Sequence, residues 1–167
     1  MSSFRIILTL AVMATLAGCG FRPLYGGSEK AAINSQLGAI QIAAIGNRVG
    51  QKIHNLLLDR LNPRGRPQSP LYTLSLTAQI SKAEIGLKFT EVATRAKLSL
   101  SANYFLTDNQ SGAILTEGTV RSVNSYNIPD SEFARVAAEN DATDRAAREI
   151  SDEVETRLSL LFSKQGQ

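Results

Sequence analysis

The sequence predicts an α+β fold: a single domain, in the order β-α-β-β-β-α, with two helices packed on one face of a four-stranded mixed sheet. Three central segments alternate apolar and polar residues with period two, which is typical of strands with one buried face. The segments on either side repeat apolar residues at helical spacing. A sheet and amphipathic helices of this kind bury their apolar surfaces against each other.

The first strand and the first helix of this fold are predicted between residues 40 and 62. Ile40–Ile45 is a short apolar run, and Gly46-Asn47 stops it and supplies a plausible N-cap. The helical spacing then includes Val49, Ile53, Leu56, Leu57 and Leu61 and ends at Asn62-Pro63. Because a helix joins the first two strands, we expect them to be parallel if they are adjacent.

Three further strands are predicted after the Pro-rich loop at residues 63–70. The inward positions of the second strand are Tyr72, Leu74, Leu76, Ala78 and Ile80, and those of the third are Ala96, Leu98, Leu100, Ala102, Tyr104 and Leu106. The turn at residues 108–112 makes the third and fourth strands a hairpin. The fourth strand, residues 113–126, alternates less cleanly, and we interpret Gly118 as a bulge.

The last helix is predicted from an apolar stripe that returns after residue 131. Its members are Phe133, Val136, Ala137, Ala147, Ile150, Val154, Leu158 and Leu161. Asn140 and Thr143 or Asp144 interrupt this stripe, so we expect a kink or a polar contact there.

The N-terminus is typical of an export signal. A positively charged start precedes an apolar stretch that is too short to span a bilayer, and Leu16-Ala17-Gly18-Cys19 resembles a bacterial lipobox. A plain secretory signal with an incidental cysteine is the alternative, but a lone thiol would invite unwanted pairing in an oxidising compartment. We therefore predict lipidation at Cys19, and Gly20 and Phe21 after it favour the outer membrane.

The chain is then expected to have four parts. Residues 1–18 are the lipoprotein signal peptide, and residues 19–37 are the lipidated N-terminus and tether. Residues 38–162 are the α+β domain, and residues 163–167 are a C-terminal tail.

Composition excludes an intrinsically disordered chain, a collagen-like fibre and a multi-pass membrane protein. The chain of 167 residues is 43% hydrophobic and 20% charged, which is ordinary globular composition. One Cys and one His cannot build a zinc site, so we expect no metal and no cofactor beyond the covalent lipid on Cys19. The net charge of +3 is small and export removes the protein from the genome, so nucleic acid is not an expected partner.

Four motifs resemble the LptE family of lipopolysaccharide-assembly lipoproteins, in its alphaproteobacterial form. They are Cys19-Gly20-Phe21-Arg22-Pro23-Leu24-Tyr25-Gly26, Ala93-Thr94-Arg95-Ala96-Lys97-Leu98, Arg121-Ser122-Val123-Asn124-Ser125-Tyr126-Asn127 and Ala137-Ala138-Glu139-Asn140-Asp141-Ala142. The resemblance implies two helices on one sheet. It also implies a lipid-anchored, periplasmic-side partner of the outer-membrane β-barrel LptD that plugs the barrel, supports its assembly and helps insert lipopolysaccharide, most naturally at one to one.

Basic residues are the candidate contacts for lipopolysaccharide or the barrel. Residues 22–128 carry twelve Lys and Arg against six acidic residues, whereas residues 129–167 carry five against nine. Lys88, Arg95, Lys97 and Arg121 could pair with phosphates or carboxylates of the lipid. The alternatives are a solvated face or contacts to acidic residues of the barrel.

An enzyme and a different lipoprotein adaptor are the alternative classes of function. An enzyme is not expected, because the chain has no Gly-x-Ser-x-Gly elbow, no His-Glu-x-x-His and no phosphate loop. Its single imidazole, His54, falls beside the apolar stripe of the first helix, where a surface or half-buried structural role is expected. A different lipoprotein adaptor, such as a secretin pilotin or a lipid-transporter subunit, would share the anchor and the absence of catalytic residues.

Overall fold

A computed structural model describes residues 28–86 and 93–165 of the chain. Its elements are α1 (Ser28–Gly38), β1 (Ile40–Ile42), α2 (Asn47–Leu61), β2 (Tyr72–Gly86), β3 (Ala93–Asp108), β4 (Ile114–Asn127) and α3 (Glu132–Gln165). Contacts divide the chain into residues 1–31 and 32–167, and the second unit holds the sheet, α2 and α3.

The strands form one mixed sheet in the order β1-β2-β3-β4. β1 is parallel to β2, whereas β2 with β3 and β3 with β4 are antiparallel. The predicted α+β fold, its element order and the parallel first pair are confirmed.

Both α2 and α3 pack on one face of the sheet, and the core lies between them and the strands. The inward positions predicted for β3 are all buried, as are Leu74, Leu76 and Ala78 of β2. α2 begins at Asn47, which has a positive φ of 66°. Its Oδ1 accepts the Gly50 N–H at 2.8 Å, which is the bond of a helix-capping side chain.

The bulge predicted at Gly118 is wrong. Gly118 pairs regularly with Tyr104, and the register shifts instead between Leu106 and Thr107, where β4 has one extra residue. A Cβ on Gly118 would lie 3.1 Å from the Tyr104 Oη. The glycine therefore makes room for an aromatic ring.

The stripe of α3 is only partly buried. From Ala142 to Phe162 the inward residues contact the core, but Phe133 is 85% exposed and Val136 and Ala137 are exposed too. The expected polar contact is confirmed, because Asp144 forms an ion pair with Lys52 of α2. Thr143 Oγ1 also donates to the Glu139 carbonyl at 2.8 Å within the helix.

α1 is a difference from the sequence prediction, which places residues 19–37 in the lipidated N-terminus and tether. Its sequence has no apolar stripe, and within residues 31–38 Leu37 is buried in the core while Ile33 is partly buried against it. The Tyr72 hydroxyl donates to Gln36 Oε1 at 2.9 Å and holds the same end of the helix. Local helix propensity and this anchored end explain the element.

Candidate functional site

The face of the sheet that turns away from α2 and α3 carries no helix among the described residues. We call it the outer face. It consists of the side chains that alternate along β2, β3 and β4 with those of the covered face. They belong to Thr77, Gln79, Ser81, Ala83, Ile85, Arg95, Lys97, Ser99, Ser101, Asn103, Phe105, Glu117, Thr119, Arg121, Val123, Ser125 and Asn127. Hydroxyl and amide groups dominate this surface, which is the composition that the outward strand positions predicted.

Arg121 lies at the middle of the outer face. The strand register aligns it with Ser101 of β3, which in turn pairs with Gln79 of β2. Its Nε donates to Ser99 Oγ at 3.0 Å, so a hydroxyl holds the guanidinium against the sheet. These residues with Ser81 and Ile80 line a shallow depression of about 230 Å³. The arrangement presents one cation within a neutral polar surface.

Two other sequence-predicted cations join Arg121 on this face. Lys97 and Arg95 are exposed and lie further along β3, opposite Ser125 and Asn127. The acidic Glu117 lies toward the other end, opposite Phe105. The structure therefore groups three of the four candidate cations, whereas Lys88 lies outside the described residues, as does Cys19.

The outer face also has apolar side chains that sequence patterning did not single out. Phe105, Val123 and Ile85 are exposed on it, although each falls on the polar side of the period-two pattern. The sequence signal for such a side chain is an aromatic or β-branched residue at an outward strand position. Only the register shows that these three side chains share one surface.

A polar cluster that the sequence did not reveal lies on the opposite side, where β4 meets α3. Ser122 Oγ donates to Glu149 Oε2 at 2.5 Å, and Asn124 Nδ2 donates to Ser122 Oγ at 2.8 Å. Nearby, burial raises the pKa of the Tyr126 hydroxyl, so it remains protonated. A hydroxyl and a carboxylate without an imidazole do not form a nucleophile with its base. We assign this cluster to positioning α3.

His54 is more buried than expected. It is 8% exposed, and its Nδ1 lies 3.2 Å from the Ala43 carbonyl oxygen that follows β1. The ring thus connects α2 to the end of β1, which is a structural role.

Two further searches concern the described residues alone. No group of three or more His, Cys, Asp and Glu side chains in them is placed to hold a metal ion. None of their helices combines the length and the apolar character that crossing a membrane requires.

Comparison with solved structures gives three informative matches. A lipoprotein structure from Caulobacter crescentus aligns with a TM-score of 0.66 at 25% identity, covering 80% of this chain and 96% of that one. Rare lipoprotein B from Shewanella oneidensis aligns with a TM-score of 0.59 at 10% identity, covering 77% and 98%. Lipoprotein B from Nitrosomonas europaea aligns with a TM-score of 0.51 at 15% identity, covering 76% and 82%. These matches define the class of fold, a small α+β domain that this chain shares with bacterial lipoproteins.

A family model described as lipopolysaccharide-assembly, LptE, matches residues 37–158. The chain belongs to the LptE family of lipopolysaccharide-assembly lipoproteins, so the resemblance seen in the motifs is confirmed. This family is non-enzymatic, has no known cofactor, and is known to associate with LptD and lipopolysaccharide. No curated protein sequence matches this chain.

Proposed function

We propose that the protein is an outer-membrane lipoprotein that associates with the LptD β-barrel from the periplasmic side, plugs its lumen, supports its assembly and helps insert lipopolysaccharide into the outer leaflet. The observation that carries the proposal is the open outer face of a chain that belongs to the LptE family. Cys19, acylated after removal of residues 1–18, would hold the domain at the membrane.

The chemistry of the outer face fits a barrel interior. A barrel lumen is polar, so a plug that enters it must present groups able to replace the hydrogen bonds of water. The hydroxyl and amide side chains around Arg121 can both donate and accept, whichever groups the wall offers. Exposed Phe105 and Val123 add apolar contact within the same surface.

The three cations supply specificity on this neutral surface. Arg121 is held by Ser99, so its remaining N–H groups can bind a carboxylate or phosphate with little loss of side-chain entropy. Lys97 and Arg95 extend the positive charge along β3. Acidic residues of the barrel and phosphates of lipopolysaccharide are the two anions that the proposal places against them.

A tagged pull-down from detergent-solubilised outer membranes tests the proposal. Mass spectrometry identifies the co-eluting partner, and the N-terminus of the mature protein is examined for acylated Cys19. A stoichiometric large β-barrel is the expected partner. Recovery with a secretin, with an inner-membrane transporter, or with no partner contradicts the proposal and favours the other lipoprotein adaptors.

A further inference from the structure

The backbone of β4 forms an open edge of the sheet. Among residues 28–86 and 93–165, β4 pairs with β3 and with no other strand. The opposite edge is different, because β1 pairs with the start of β2, Ala43 N–H donates to the Leu74 carbonyl at 2.9 Å, and Asn47 Nδ2 donates to the Ala78 carbonyl at 3.1 Å. Within the part of the chain that the structure describes, the sheet thus has one partly capped edge and one long free edge.

The register shows which backbone groups of β4 point outward. The N–H and C=O of one strand residue project to the same side, and neighbouring residues project to opposite sides. The Leu74 carbonyl points toward β1, so the even-numbered residues of β2 point to β1 and its odd-numbered residues bond to odd-numbered residues of β3. The even-numbered residues of β3 therefore point the other way and bond to even-numbered residues of β4. The odd residues of β4 therefore direct their N–H and C=O groups to the free edge.

Arg157 confirms this direction and limits the open segment. Its Nη1 reaches from α3 to the Thr119 carbonyl at 3.3 Å, and its Nε donates to Glu153 Oε1 at 2.8 Å. The hydrogen bond that Arg157 donates to the Glu153 carboxylate raises the pKa of the guanidinium, so Arg157 stays charged. Beyond this contact, the outward groups of Arg121, Val123, Ser125 and Asn127 have regular strand geometry, because the register shift lies at the other end of β4.

We propose that the β4 edge from Arg121 to Asn127 binds an extended segment of a partner polypeptide as a fifth, antiparallel strand. Unpaired strand edges bind extended chains through their main-chain groups, and cross-strand side chains give specificity. The side chain opposite Arg121 is a carboxylate and the one opposite Val123 is apolar, since both β4 residues are exposed on the outer face. This site uses the backbone groups at the sheet edge, and the side chains of Arg121 and Val123 join it to the outer face.

A second copy of the chain fits the same edge less well. Antiparallel pairing of two β4 strands matches Glu117 with Arg121 in both directions only when Thr119 lies on the two-fold axis. Arg157 already holds the Thr119 carbonyl at that point. Pairing centred on Arg121 opposes two like charges, and pairing centred on Val123 places each Arg121 opposite Ser125, which supplies no anion.

The test uses the full chain in detergent and a synthetic peptide with Thr at alternate positions. The peptide also carries Val, to lie opposite Val123, and Glu two residues away, to lie opposite Arg121. NMR should show slowed amide exchange at Arg121, Val123 and Ser125, with little change at Ser122 and Asn124, which already bond to β3. N-methylation of the peptide residue opposite Val123 should weaken binding about tenfold, because its N–H points to the edge. N-methylation of the next peptide residue is the matched control and should leave binding unchanged.

Two variants of the protein complete the test. Val123→Pro removes an outward N–H that β3 does not use, so the chain should fold and lose peptide binding, whereas Val123→Thr should retain it. Arg121→Glu should weaken the Glu peptide and bind a Lys peptide instead. Equal affinity of the two methylated peptides, absence of saturable binding, or a β4-mediated dimer in ultracentrifugation would overturn the proposal.

Discussion

Gly118 and Tyr104 face each other across β3 and β4 on the covered side of the sheet. The pair shows how one residue type at one position follows from its neighbour across the sheet and not from its neighbours along the chain. A side chain at residue 118 would meet the ring at 3.1 to 3.3 Å, and the ring is buried and cannot move aside easily.

Gly118→Ala should therefore lower the free energy of unfolding by about 1 kcal/mol, because the new methyl group overpacks the site. Urea denaturation measures the change. Tyr104→Phe removes the closest atom, so the cost of Gly118→Ala should fall in that background. Gly46→Ala is the control, since a Cβ there meets no atom within 4 Å, and an equal loss in both variants would contradict the explanation.

Asp108 stabilises the β3–β4 turn through its charge. Its carboxylate accepts the Ser111 N–H at 2.7 Å, the Ser111 hydroxyl at 3.0 Å and the Gln110 N–H at 2.9 Å. The hydrogen bonds from Ser111, supported by the one from Gln110, lower the pKa of Asp108 below its ordinary value of 3.8. Its contribution is present above pH 3.8 and is lost as the pH falls through the lowered pKa.

Asp108→Asn should destabilise the protein near neutral pH, and the difference from the parent chain should shrink in acid below pH 3.8. Chemical denaturation across the pH range measures this difference. Ser111→Ala should raise the pKa of Asp108 in an NMR titration. A difference between parent and Asp108→Asn that does not depend on pH would exclude the charge as the cause.

At the scale of elements, α3 is longer than the sheet region that it covers. Ion pairs join it to α2 through Lys52–Asp144 and Arg60–Asp152, and to β2 through Lys82–Glu139. These pairs are partly exposed, so each contributes little to stability and together they mainly fix the position of the helix. The first turns of α3 extend past this support, which explains why Phe133 and Val136 are exposed.

α1 gives the prediction at the scale of elements. Leu37 is buried in the core although the segment before it was interpreted as a tether. Leu37→Ala should cost about 2 to 3 kcal/mol in free energy of unfolding, as a buried leucine does when truncated. Thermal denaturation checks this value, and Ser35→Ala at an exposed position of the same helix is the control. Equal stability of the two variants would show that α1 is not part of the folded unit.

At the scale of the whole molecule, the domain combines a covered, apolar sheet face with an open, polar one. The covered face provides the core, and no helix of residues 28–86 and 93–165 packs on the open face. Stability and binding can therefore be changed separately, which two predictions use.

Lys97→Glu with Arg121→Glu should weaken lipopolysaccharide binding without lowering the melting temperature, since both side chains are exposed on the outer face. Binding of purified lipopolysaccharide and thermal denaturation are the two measurements. Arg48→Glu with Arg64→Glu makes the same charge change at exposed positions elsewhere and should retain binding. Unchanged binding in the outer-face variant would remove both residues as lipid contacts.

Cys19→Ala should leave the domain folded but lower the amount of assembled barrel in the cell. Under the proposed function, acylated Cys19 would confine the protein to the membrane where the barrel assembles, which would raise its effective concentration there. Immunoblots of folded and unfolded barrel at native expression measure this effect. Normal barrel levels in the variant would contradict the role of the anchor, and overexpression that restores assembly would support it.

The sequence by itself determined the strands, the two core helices, the parallel first pair and the family. Period-two alternation and helical spacing show which side of a strand or helix is buried. They depend only on residues close together in the sequence, so they are visible without the tertiary structure. The lipobox and the Cys-Gly-Phe-x-Pro-Leu-Tyr motif were equally local.

Only the tertiary structure decided the remaining features. α1 has no apolar stripe, so its position depends on Leu37 meeting the core and on Tyr72 reaching Gln36. The register decided that Gly118 faces Tyr104 and that Arg95, Lys97 and Arg121 share one face, and the strand order left β4 at an edge with no second partner among the described strands. These properties depend on which residues meet across strands that are distant in the chain, and a one-residue shift in register would change every one of those partners.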